Sequence, residues 1–116
     1  MVEPGGKHVI ADYWGILPHR LTSVSDIETV LKESAVASGA TVLSSNFHHF
    51  GEGYGLTGVI ILAESHISIH TWPEEGYCAL DIFMCGSCNP EVALKIIDLY
   101  LQSAHSNVKI LNRRKG

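Results

Sequence analysis

The sequence predicts an α+β fold: a two-layer α/β sandwich with a mainly antiparallel sheet, two helices on one face, and sheets packed face to face in a homodimer. Three observations carry this. Only two segments of the 116-residue chain repeat their apolar residues at helical spacing, whereas about six read as strands. Residues 56–63 are apolar on both parities, as in a strand covered on both faces. Two helices can blanket one face of a six-stranded sheet but not both, and with charged residues at only 17% a second copy is the simplest cover.

The elements run in order along the chain. Residues 7–14 alternate His8, Ile10, Asp12 and Trp14 against Val9, Ala11 and Tyr13, a first strand. Residues 15–22, with Pro18, form a loop. Ser25 opens a helix through a capping box with Glu28, its inner stripe being Ile27, Val30, Leu31, Ser34 and Ala35, and Gly39 stops it. Residues 40–50 are strand-like, and the glycine-rich 51–55 is a mobile loop. Residues 66–72 alternate strictly, residues 73–76 turn, and residues 77–85 form a further strand. Asn89 caps a second helix with Pro90 at its first position, and Ala93, Ile96, Ile97, Tyr100, Leu101 and Ala104 make its apolar stripe. Residues 108–111 close the sheet. The whole reads as a single domain, 1–116.

Composition removes several classes of function. Eight Lys+Arg against twelve Asp+Glu give net −4, which argues against nucleic acid and anionic membranes as partners. The basic group Arg113, Arg114 and Lys115 reads as a solvated tail. The longest apolar run, residues 59–63, is far short of the roughly 20 residues of a spanning helix. Residues 1–7 hold no apolar stretch of signal-peptide length. Three cysteines cannot all pair within the chain, so a reducing cytoplasm is the expected location.

Two possible chemistries are weak. Cys85-Gly86-Ser87-Cys88 has zinc-knuckle spacing, but no second ligand pair follows, and His66 and His70 lie about 13 Å apart on a strand, so no metal is expected. As a redox motif the same pair would open a helix, whereas here Asn89-Pro90 starts the helix only after the second cysteine.

The third is specific. The run Ala63-Glu64-Ser65-His66-Ile67-Ser68-Ile69-His70-Thr71-Trp72-Pro73-Glu74, followed by Asp81-Ile82-Phe83-Met84-Cys85-Gly86, closely resembles the prokaryotic-type S-adenosylmethionine decarboxylases. The resemblance extends from Lys7-His8 through Phe47-His48-His49-Phe50 to Asn89-Pro90-Glu91. It implies a self-processing enzyme whose cofactor is a covalent pyruvoyl group made from Ser65, with cleavage of the Glu64–Ser65 bond into chains 1–64 and 65–116. It further implies His70 as the processing base, Cys85 as the catalytic proton donor and Thr57 as a hydroxyl used in processing. The implied reaction is decarboxylation of S-adenosylmethionine through a Schiff base, giving the aminopropyl donor of spermidine synthesis. Related decarboxylases of arginine or ornithine share fold and cofactor, and a non-processing binding homologue is the remaining alternative. The chain departs from the family pattern in the loop 51–55, one residue longer and without proline, and at Met84, where threonine is common.

The residue types suit that chemistry. A serine hydroxyl can exchange its own amide for an ester if strain or donors to the carbonyl oxygen help, and a histidine can remove the α-proton near neutral pH. Phe50 and Trp72 can stack a base or face a sulfonium, and Glu74 can bind ribose hydroxyls. If Trp72 pairs with Tyr77 across the turn, Ser65 falls opposite residue 84, one step from Cys85. His70 fits less easily: along an extended strand it lies about 16 Å from Ser65 on the opposite face. Either the chain turns sharply at 64–66 or the partner subunit supplies the histidine.

Overall fold

The computed structural model describes residues 5–114; Lys115 lies outside them, and Arg113, expected in a solvated tail, instead ends the last strand with its guanidinium 5.1 Å from the Phe83 ring. Strands β1 (Gly6–Trp14), β2 (Val42–His49), β3 (Leu56–Leu62), β4 (Ser65–Trp72), β5 (Tyr77–Met84) and β6 (His105–Arg113) are joined with helices α1 (Val24–Ala37) and α2 (Pro90–Leu101). The strands form one sheet in the order β2-β3-β4-β5-β1-β6, every neighbouring pair antiparallel. Trp72 pairs with Tyr77, as the turn chemistry predicts.

Alternation decides what each face does. Val9 and Ala11 of β1, Ile67 and Ile69 of β4, and Leu80 and Ile82 of β5 point to one side and are buried there in one cluster with Ile27 and Leu31 of α1 and Ile97 of α2. The two helices thus cover one face. On the other, His8, Ile10 and Trp14 share a side with His66, His70, Trp72, Tyr77 and Phe83. Among the described residues nothing lies over Ile10 and Ile61, which remain 37% and 46% exposed.

The first helix begins earlier than its sequence suggests. Ser23, not Ser25, is the N-cap, and its Oγ accepts the Asp26 N–H at 3.1 Å. Starting there lets Val24 pack against the core, while Glu28 pairs with Lys32 at 3.1 Å and accepts from the Ser45 hydroxyl, so its carboxylate is engaged elsewhere. Gly39, at φ +92°, ends the helix in the left-handed region as expected. Asn89 caps α2 by accepting the Glu91 N–H at 3.2 Å, with Pro90 following. That helix stops at Leu101, so Ala104 lies beyond it, its N–H donated at 2.9 Å to the Trp14 carbonyl where the chain turns into β6. The loop 15–22 contains a 3₁₀ turn, Pro18–Arg20, held to α2 by Arg20 Nη1 on the Tyr100 carbonyl at 2.9 Å and the Tyr100 hydroxyl on the Arg20 carbonyl at 2.8 Å.

Thr71 is the buried polar residue that ties this loop to the sheet. Its hydroxyl accepts the Leu56 N–H at 3.0 Å and donates to the Leu21 carbonyl at 2.8 Å. Thr71→Val keeps the shape but leaves both backbone groups without that partner, so urea unfolding should show a loss of roughly 2–4 kcal/mol. A loss under about 0.5 kcal/mol would mean that other groups or water satisfy them.

Candidate active site

The predicted residues gather in two places, at opposite ends of β4. The first lies at the β3–β4 hairpin. Leu62 pairs with Ser65, so only Ala63 and Glu64 form the turn. Glu64 sits at φ +63°, a conformation that costs a side-chain-bearing residue roughly 1–2 kcal/mol. The strained residue therefore contributes the carbonyl of the Glu64–Ser65 peptide. The β4–β5 register carries Cys85 to that carbonyl: His66 pairs with Phe83, and the Cys85 thiol donates to the Glu64 oxygen at 3.0 Å. The Ser65 hydroxyl donates at 3.1 Å to the Ala63 carbonyl. Beside it opens a cavity of about 530 Å³ bordered by Lys7, Met84, Cys85, Cys88 and Glu91. Met84 itself is fully buried on the helix side.

The second place is at the other end of the strand. Thr57 of β3 pairs with His70 of β4, and their side chains share a hydrogen bond of 3.0 Å between Oγ1 and Nδ1. A cavity of about 310 Å³ adjoins them, lined also by Phe50, Tyr54, Trp72 and Glu74. All three predicted substrate-contacting residues thus meet the Thr57–His70 pair. Gly55 makes this possible, since a Cβ there would run into the Thr71 carbonyl. The loop 51–55 is hydrogen-bonded across its ends, Phe50 N–H to the Gly55 carbonyl at 3.0 Å and Tyr54 N–H to the Gly51 carbonyl at 2.9 Å.

Aromatic rings continue from this pocket across the open face. His70 lies 6.1 Å from Trp72, Trp72 5.1 Å from Tyr77, and Tyr77 5.8 Å from Trp14, centroid to centroid. The Tyr77 hydroxyl donates to Asp12, which with burial pushes its pKa up to about 12. Nearer the hairpin, His66 packs against Phe83 and His8, and burial first, then the charge of His8, lowers its pKa. Of the two routes by which His70 could reach Ser65, a sharp turn does not serve: the chain turns tightly at Ala63 and Glu64, before Ser65, and β4 then runs unbroken from Ser65 to Trp72, so the pair stays about 16 Å apart within the chain. Among the described residues no three His, Cys, Asp or Glu side chains converge on a point that could hold a metal ion, and no helix is long and apolar enough to cross a membrane.

Sequence reasoning alone misses Tyr54; an aromatic ring set between Gly53 and Gly55 is the signal that could have found it. The left-handed Glu64 is equally hidden, because neither Ala63 nor Glu64 is a turn-forming type.

A helix-backed antiparallel sheet with its polar groups at the strand ends defines a small two-layer α+β protein. The family model described as S-adenosylmethionine decarboxylase matches residues 7–114. Similar curated proteins are S-adenosylmethionine decarboxylase proenzymes. That of Methanococcus aeolicus is 42% identical over 109 residues, covering 93% of this chain and 92% of the relative. That of Thermosipho melanesiensis is 41% identical over 104 residues, covering 89% and 79%. The crystal structure of the adenosylmethionine decarboxylase from Aquifex aeolicus superposes with a TM-score of 0.87 at 31% identity, covering 99% of this chain and 95% of that one. The chain belongs to the S-adenosylmethionine decarboxylase family.

Proposed function

We propose that this chain is a proenzyme that cuts itself between Glu64 and Ser65, converts Ser65 to a pyruvoyl group, and decarboxylates S-adenosylmethionine as a homodimer in a reducing cytoplasm. The observation that carries this reading is the state of the scissile peptide: Glu64 is held left-handed, and its carbonyl oxygen takes a thiol hydrogen bond of 3.0 Å from Cys85. Strain raises the amide toward the ester, and a donor on the oxygen stabilises the negative charge that grows there during attack.

The processing sequence uses groups of this chain. Ser65 Oγ leaves the Ala63 carbonyl and bonds to the Glu64 carbonyl carbon; the Glu64–Ser65 C–N bond breaks as the nitrogen takes the hydroxyl proton. His70 then removes the Ser65 α-proton, the Cα-side electrons form a double bond to Cβ, and the Cβ–Oγ bond breaks to free residues 1–64 with a carboxylate at Glu64. Water replaces the nitrogen of the remaining enamine, and ammonia departs. Thr57, hydrogen-bonded to His70 at 3.0 Å, fixes the ring for that proton transfer. The pyruvoyl group so formed supplies an electron sink when the substrate loses CO₂. Cys85, whose thiol lies 3.0 Å from the Glu64 oxygen, returns a proton to the former α-carbon.

The second copy is the consequence of the two-part site. Stacking two open faces about 10 Å apart, related by a twofold axis that crosses the strands, sets the Ser65 end of one sheet over the His70 end of the other. The same contact covers Ile10, Ile61 and Trp72. S-adenosylmethionine is favoured over arginine or ornithine because the pocket beside His70 brings Phe50, Tyr54 and Trp72 together with the Glu74 carboxylate. Rings of that kind stack adenine and face a sulfonium, and the carboxylate accepts ribose hydroxyls.

Intact-mass measurement of freshly purified protein should give two chains, 1–64 and 65–116, the second blocked at its N-terminus by a ketone that borohydride reduces. Release of CO₂ from carboxyl-labelled S-adenosylmethionine, arginine and ornithine in parallel should proceed with the first alone. One uncut, hydrazine-inert chain would end this reading. Cys85→Ala should still cut itself, about tenfold more slowly for loss of one neutral hydrogen bond, and should lose about 100-fold or more in turnover. Full turnover in that variant would remove Cys85 from the reaction.

A further inference from the structure

The self-processing and decarboxylation chemistry does not use the Cys85-Gly86-Ser87-Cys88 segment as a pair. That segment forms a closed backbone turn: the Cys88 N–H donates to the Cys85 carbonyl at 2.9 Å. Such a turn keeps the first and fourth Cα atoms within about 7 Å, and disulfides span about 4.4–6.8 Å between Cα atoms. Both side chains are half-buried and border the same cavity of about 530 Å³, which gives a small reagent access and gives the side chains room to rotate. The third cysteine cannot compete. Cys78 is completely buried under the helices, and burial followed by the charge of Asp12 pushes its thiol up to about 12.

We propose that Cys85 and Cys88 are a redox modification site, closed into a disulfide by low-molecular-weight disulfides, and that closure switches the enzyme off by removing the thiol facing Glu64–Ser65. In the exchange the Cys85 thiolate attacks one sulfur of an oxidised glutathione, forming a mixed disulfide and releasing one glutathione thiolate. The Cys88 thiolate then attacks the Cys85 sulfur, forming the internal bond and releasing the second. The two protein thiols give up two electrons and two protons, and the glutathione disulfide takes them as two thiols. A short turn favours the second step, because the resolving sulfur is already at hand. Formation of the bond stands on the turn alone; its effect on activity rests on Cys85 acting as the proton donor of the proposed function.

The test uses the processed full-length enzyme, prepared reduced and equilibrated with oxidised and reduced glutathione at graded ratios. Wild type should become lighter by two hydrogens, with peptide mapping joining residues 85 and 88, and should lose activity about tenfold or more in proportion. Dithiothreitol should restore both. Cys88→Ser should keep its reduced activity within about twofold and, with the same reagent, end as a glutathione adduct on Cys85 without an internal bond. Wild type that keeps all its thiols alkylatable, or ends as the same adduct, would overturn the switch and leave the self-cleavage reading intact. An internal bond with activity unchanged would overturn the switch and take the Cys85 assignment with it.

Discussion

Ser65→Ala is expected to yield one 116-residue polypeptide with no detectable decarboxylase activity. Alanine has no oxygen to attack the Glu64 carbonyl, so neither the ester nor the ketone can form, and no other residue can supply an N-terminal carbonyl at that position. The fold should be unaffected: the Ser65 hydroxyl donates to the Ala63 carbonyl at 3.1 Å, a bond worth about 1 kcal/mol at most. Intact mass and a thermal melt on the same sample separate the two effects. A variant that unfolds near the wild-type temperature yet stays uncut places the defect in the chemistry. A variant that is cut at 64–65 and active would refute the pyruvoyl assignment outright.

The second large effect is a rescue. His70→Ala alone should remain uncut, because the base that takes the Ser65 α-proton is gone. Ser65→Ala alone should remain uncut for lack of the hydroxyl. Co-expressed with distinct tags, the two should cut, because a mixed dimer pairs the intact Ser65 of one chain with the intact His70 of the other. With random assortment roughly half of the His70→Ala chains find such a partner, so roughly half should appear as 1–64 and 65–116. The Ser65→Ala chains should stay whole in the same mixture. The geometry makes this outcome specific: β4 is straight from Ser65 to Trp72, and five residues of extended strand hold the two groups about 16 Å apart in one chain. If His70 served its own chain, co-expression would produce no cleavage at all.

Local chemistry made much of this legible. The Pro73–Gly76 turn fixes Trp72 against Tyr77, and that single pairing propagates down the hairpin until Cys85 meets the Glu64 carbonyl. The Asn89-Pro90 cap and the six strands arise from spacing that depends only on near neighbours in the chain. What stayed hidden was set by distant pairings. Nothing in residues 6–14 announces that β1 inserts between β5 and β6, because a strand apolar on one side accepts any neighbour of matching pattern. Ser23 outcompetes Ser25 as the cap because Val24 packs into the core and Glu28 is held by Lys32 and Ser45. The turn at Ala63 and Glu64 carries no glycine or asparagine to mark it, so the left-handed Glu64 shows only in the structure.

The strand order also governs what a cut between Glu64 and Ser65 would leave behind. Residues 1–64 contribute β1, β2 and β3, and residues 65–116 contribute β4, β5 and β6. In the sheet these alternate as two, two, one and one, so that β1 is clasped on either side by strands from the other piece. The two pieces would therefore be interlaced, and dilution alone would not part them: separation would require unzipping three backbone ladders at once. A nick in such a molecule changes its covalent count while its architecture persists.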